Sequence, residues 1–189
     1  MNDFFLATNR SIMVNDIEVR QIQMKNFDTW VPHAEVLKNF IKDRDYSDDI
    51  LTELFATHAL QVISTIACVT DITQELLLKT AVNEQEFKQL LKTVLNVNHA
   101  YFKYEKPKRG SKKAAQSSES TWFDSFQYLI SAGHRHEDIM NMTYGAFEQY
   151  LKSAQKDHKN KLQYLSSVIR SAQHANAKEF KKFFDDLKE

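Results

Sequence analysis

Only three glycines and two prolines interrupt the 189 residues of this chain. A sandwich or barrel needs a turn roughly every 8–12 residues, and Gly and Pro supply many of those turns. So small a supply restricts the chain to long helices joined by few sharp reversals. Phe, Leu, Lys and Gln are abundant, and 42% hydrophobic with 26% charged residues is an ordinary globular balance. The expected fold is mainly α.

One of the glycines, Gly110, and one of the prolines, Pro107, fall together in residues 103–120, KYEKPKRGSKKAAQSSES. This stretch has six Lys/Arg against two Glu and no apolar period of 3.6 or 2, so it has no face to bury. The expectation is a flexible basic linker between two small helical modules, residues 1–102 and 121–189. Net charge is zero overall but uneven: −5 over residues 1–102, +4 over the linker and +1 over residues 121–189. Positive charge confined to a linker argues against a chain built to coat nucleic acid.

In the first module, Ile12, Met13 and Val14 and then Ile17, Glu18 and Val19 flank Asn15-Asp16, residues that tolerate the positive φ of a hairpin turn. Helices are expected to follow. Asp28 is the expected cap of the first, with Pro32 in its first turn and Val36, Leu37, Phe40 and Ile41 facing inward. A second carries Leu51, Leu54, Phe55, His58, Ala59, Val62, Ile63 and Ile66 at helical spacing. A third starts near Thr73, and a fourth opens on Asn83-x-x-Glu86, with Phe87, Leu90, Leu91, Val94 and Leu95 inward.

In the second module, Trp122, Phe126 and Leu129 share a stripe and Gly133 is a natural helix stop. Thr143 caps a long helix that keeps Phe147, Leu151, Ala154, Leu162, Leu165, Ile169 and Ala172 on one face, and Asn176 caps a last one. Sixty-nine residues with so few apolar layers are marginal alone, so Trp122, Phe126, Tyr144, Phe147 and Tyr150 are candidate client-binding residues.

Catalytic chemistry finds little support. Cys68, alone in an apolar run, reads as a small core residue. His58 lies on an apolar stripe without acidic or Cys neighbours at metal spacing and reads as a core-edge histidine. His134-x-His136 invites a metal-hydrolase reading with Glu137 as base, but residues i and i+2 of a helix point about 200° apart. A nucleophile elbow, a Walker loop or a dinucleotide turn needs glycines in an order this chain lacks. No cofactor, metal site or enzymatic activity is expected. No secretory leader or membrane span is read, so the expected location is cytoplasmic.

Residues 87–102, FKQLLKTVLNVNHAYF, resemble the closing segment of the tail assembly chaperones of long-tailed bacteriophages. That family often ends a helix on a V-L-x-V-N-x-x-F-F type pattern. Here Val94, Leu95, Val97, Asn98 and Phe102 match it, and Tyr101 stands for the first aromatic. Residues 17–30, IEVRQIQMKNFDTW, resemble the start of such proteins, and residues 122–154 resemble the downstream part of their longer form. The resemblance implies an upstream chaperone domain fused to a downstream one by ribosomal frameshifting near the linker. It also implies binding of the tape measure protein, recruitment of tail tube subunits, work in the host bacterial cytoplasm and absence from the finished particle. Lys112-Lys113 is the candidate slippage region, and the short product would contain the whole first module. The expected partners are the tape measure protein, the tail tube protein and other copies of the chain, with no membrane. The alternative is a nucleic-acid-binding accessory protein using Lys103, Lys106, Lys108, Arg109, Lys112 and Lys113 of the linker.

Overall fold

The computed structural model describes residues 3–103, 121–174 and 176–186. These are mainly helical with one two-stranded hairpin, as the scarcity of Gly and Pro requires. Beyond Lys103 the expected linker, with Lys112 and Lys113, lies outside the described residues. The chain divides into two compact units, Met1–Gln149 and Tyr150–Glu189. This differs from the division expected at residues 103–120: helices that follow the linker in sequence belong to the first unit.

The first unit opens with α1 (Asp3–Ala7), then β1 (Ile12–Val14) and β2 (Ile17–Val19). The strands pair antiparallel, Ile12 opposite Val19 and Val14 opposite Ile17. Asn15 at φ 48° and Asp16 at φ 63° make the left-handed pair that matches strand twist. Val14 and Val19 turn to the core, while Glu18 faces out, where Arg20 pairs with it and with Asp71.

A single 3-10 turn (Met24–Asn26) leads into α2 (Phe27–Phe40). Asn26, not Asp28, occupies the cap position; Asp28 sits inside the first turn, its carboxylate accepting from the Thr29 N–H at 2.8 Å. Pro32 therefore lies past the first turn. Phe27, Trp30, Ala34 and Leu37 are the buried face, and the Trp30 indole N–H donates to the Thr65 carbonyl at 3.2 Å.

That carbonyl belongs to α3 (Asp48–Ala67), which packs Leu51, Leu54, Val62, Ile63 and Ile66 inward. By length and composition alone α3 could cross a membrane; here those side chains are core. The helix breaks at His58, φ −132° and ψ 40°, and the imidazole meets the Phe40 ring edge-on at 5.6 Å. Phe55, His58 and Ala59 are half-buried. Cys68 follows at the C-cap and is exposed, a correction to the buried position expected for it: one residue past the last helical turn, it has left the apolar stripe.

Next come α4 (Gln74–Thr80), capped by Thr73, and α5 (Glu84–Val97), whose Asn83 side chain accepts from the Glu86 N–H at 3.5 Å. Phe87, Leu90, Leu91, Val94, Leu95 and Val97 line the buried face of α5. The short α6 (His99–Phe102) closes this part.

In the residues from 121 on, α7 (Trp122–Ser131) starts on a reciprocal cap. The Thr121 hydroxyl accepts from the Asp124 N–H at 3.3 Å, and the Asp124 carboxylate accepts from the Thr121 N–H at 2.8 Å. Gly133, at φ 100°, ends it as expected. Its N–H donates to the Ile130 carbonyl and the His134 N–H to that of Leu129, the paired closure a left-handed residue permits. Then follow α8 (His136–Asn141) and α9 (Tyr144–His174). Thr143 caps α9 as expected, accepting from the Ala146 N–H at 3.1 Å.

The second unit holds the rest of α9 and α10 (Ala177–Asp186). Asn176 caps α10, accepting from the Lys178 and Glu179 N–H groups at 3.1 and 3.0 Å. Leu162, Leu165 and Ile169 on α9 are each more than half exposed. On α10, Phe180 and Phe184 stack one turn apart at 6.4 Å.

Candidate interaction surface

Phe27 is the centre of the aromatic arrangement in the first unit. The Tyr144 ring stacks on it at 5.0 Å, nearly parallel, while Trp122 and Tyr101 meet it edge-on at 5.2 and 5.7 Å. Trp30 adds an edge-on contact to Tyr101 at 4.9 Å. Such pairs contribute about 0.5–1.5 kcal/mol each beyond their buried area. Burial pushes the Tyr101 phenol well above its ordinary range, with Glu35 and Tyr144 adding to the shift, and the Lys38 ammonium lies over its ring at 4.4 Å.

Backbone bonds fix the same seam. The Met24 N–H donates to the Met142 carbonyl and the Tyr144 N–H to that of Ile22, both at 2.9 Å, with Gln23 bridging Thr143. The Thr143 hydroxyl donates to the Leu6 carbonyl at 3.0 Å. At Gly145 the Leu6 and Ala100 side chains sit so close that a Cβ would lie 2.7 Å from Leu6 Cδ2 and 3.1 Å from Ala100 Cβ. Opposite, Asn98 is 4% exposed and satisfies three backbone groups. Its Oδ1 accepts from the Ile22 N–H at 2.7 Å, and its Nδ2 donates to the Arg20 and Val94 carbonyls at 3.2 and 3.1 Å. Residues 20–22 leave the hairpin without a strand partner for the Arg20 carbonyl and the Ile22 N–H, so the Asn98 side-chain amide at the end of α5 takes the partner's place.

The five candidate client-binding residues are placed differently from one another. Phe147 is 2% exposed, set between Trp122 at 6.0 Å and Phe126 at 5.7 Å. Tyr144 is half-buried on Phe27, and Phe126 is half-buried. Trp122 remains 50% exposed. Tyr150 is exposed and belongs to the second unit. The structure thus packs Trp122 and Tyr144 on Phe27, and joins Phe126 and Phe147 to them through Trp122.

The most exposed aromatic of α7 is a sixth residue, next to Trp122 in sequence. Phe123 is 78% exposed and contacts Phe126 at 6.4 Å, and Ile130 also keeps an open face. The signal was in the sequence: Phe123 falls outside the stripe of Trp122, Phe126 and Leu129, and an off-stripe aromatic on a short helix faces water.

Near α8, the Arg135 guanidinium holds the Asp138 carboxylate through bonds of 2.8 and 2.9 Å and keeps it below the usual carboxylate range. Among the described residues no group of three or more His, Cys, Asp or Glu stands where a metal could be held. Comparison with protein-family models, curated proteins and solved structures found no match to the chain.

Proposed function

We propose that this chain is an interaction protein, a bacteriophage tail assembly chaperone of the long, fused form, acting in the host cytoplasm. The supporting observation is the aromatic face of α7: Phe123 is mostly exposed and Trp122 half exposed, on a helix closed by a reciprocal cap and packed through Trp122 on Phe27. Large exposed aromatics on a rigid element suit the reversible holding of an apolar, helical client. The tape measure protein is the proposed client and the tail tube protein the proposed recruit, as the resemblance of residues 87–102 and 122–154 implies.

Co-expression with the tape measure and tail tube proteins of the same genome tests the reading. The full chain should co-purify with at least one of them, and Phe123→Glu should lose that capture while keeping its circular dichroism spectrum. Capture unchanged by Phe123→Glu, or absent from the native chain, would remove the assignment. The frameshift part of the proposal rests on the gene: an adenine run at the Lys112-Lys113 codons and a shorter product from the same message. The alternative of DNA binding through the basic linker predicts a salt-sensitive mobility shift.

A further inference from the structure

Two surfaces unused by that reading complement each other in apolar exposure and charge. The first is α9 beyond the first unit. Leu151, Ala154, Leu162, Leu165, Ile169 and Ala172 follow a stripe of helical period, and Leu162, Leu165 and Ile169 are more than half exposed. Lys152, Lys159 and Arg170 stand seven and eleven residues apart, which sets them in one row beside that stripe. Residues 150–174 carry five Lys/Arg against Asp157 alone. The result is a basic helix with an uncovered apolar edge.

The second is a groove of about 360 Å³ in the first unit, where α3, the end of α4 and the start of α5 meet. Leu51, Phe55, Ala56, Val82 and Phe87 line it, and Val82 on its lip is 87% exposed. The surrounding charge is acidic. Glu84 lies in the lining, and Asp48 and Asp49 stand on the first turn of α3, while Glu53, a turn further on, is paired with Arg44 at 3.1 Å. Lys88 is the cation of the lining, and it is engaged by Glu84 at 2.6 Å. An apolar floor with an acidic rim fits an amphipathic helix with a basic flank.

We propose that this groove is a docking site for α9 of a second copy of the chain, with Leu162, Leu165 and Ile169 entering the groove and the Lys152, Lys159 and Arg170 row meeting the acidic rim. The proposal goes beyond the client-binding reading: it involves neither α7 nor a foreign protein. Contact between opposite charges at a half-open rim is weakened by salt, so self-association falls as ionic strength rises.

Sedimentation velocity on the full chain, between about 50 mM and about 500 mM salt, reads this directly. The chain should associate at the lower salt and dissociate at the higher. Leu165→Glu, which spoils the helix, and Val82→Glu, which spoils the groove, change exposed side chains and should keep the fold. Each should weaken association at least about tenfold. Mixed together they should associate again, because the first variant keeps its groove and the second keeps its helix. A chain that stays monomeric at both salts overturns the proposal, and so does association that either variant leaves intact or that mixing does not restore. Flotation with phosphatidylserine vesicles completes the test: a monomeric chain that floats in a Leu165-dependent way assigns the basic helix to a lipid surface and sinks the groove.

Discussion

Asn98 shows how one side chain can hold a topology. The Ile22 N–H is buried and lies past the end of β2, where no strand reaches it; without the Asn98 carbonyl oxygen it has no acceptor. Leaving a buried donor unmet costs about 1–3 kcal/mol. Asn98→Leu should therefore lower the urea midpoint by a corresponding amount with an unchanged slope. A midpoint equal to the native one would mean that Ile22 finds another partner. Gly145 makes the same seam testable from the other side. Overpacking a filled contact costs about 1–3 kcal/mol, so Gly145→Val, driving two methyls toward Leu6 and Ala100, should destabilise by that order. Val retained there at no cost would show that the α9 start does not pack on α1 and α6.

Elements were legible in proportion to how local their causes are. The hairpin follows from Asn15-Asp16, because only residues tolerant of positive φ can close so tight a turn. The ends of α4, α5, α9 and α10 follow from Thr73, Asn83, Thr143 and Asn176, each within three residues of the N–H it accepts from. Gly133 stops α7 for an equally local reason, and Gly133→Ala should cost about 1 kcal/mol, read by thermal melting, because a Cβ opposes φ 100°. The start of α2 was read two residues late because the 3-10 turn has no sequence cue of its own. The α7 cap is equally local, a Thr121-x-x-Asp124 spacing that the stripe of Trp122, Phe126 and Leu129 does not reveal. What no local pattern carries is partnership. Trp122 and Tyr144 were visible as aromatics, but that Phe27, 95 or more residues earlier, takes both is a long-range pairing no local pattern encodes. Phe123, one position off that stripe, is the exposed member.

For the whole molecule, the basic run at residues 103–120 marked a change of composition, but the compact units divide elsewhere, after Gln149. A first module complete by Phe102 does not fit the seam: such a chain lacks the Tyr144 stack on Phe27, the Thr143 bond to Leu6 and the backbone pairs at Ile22 and Met24. A chain ended at Lys103 should accordingly unfold at lower urea than the full chain and bind more of a hydrophobic dye, and equal stability of the two would show that the seam contributes nothing. The central claim is that the first unit, built from both halves of the sequence, presents α7 to a client. Hydrogen–deuterium exchange on the full chain, alone and with the tape measure protein of the same genome, tests it most directly. Slowed exchange across residues 122–131 on mixing, absent in Phe123→Glu, is the predicted result; a complex that forms while α7 exchanges at its free rate would contradict the account.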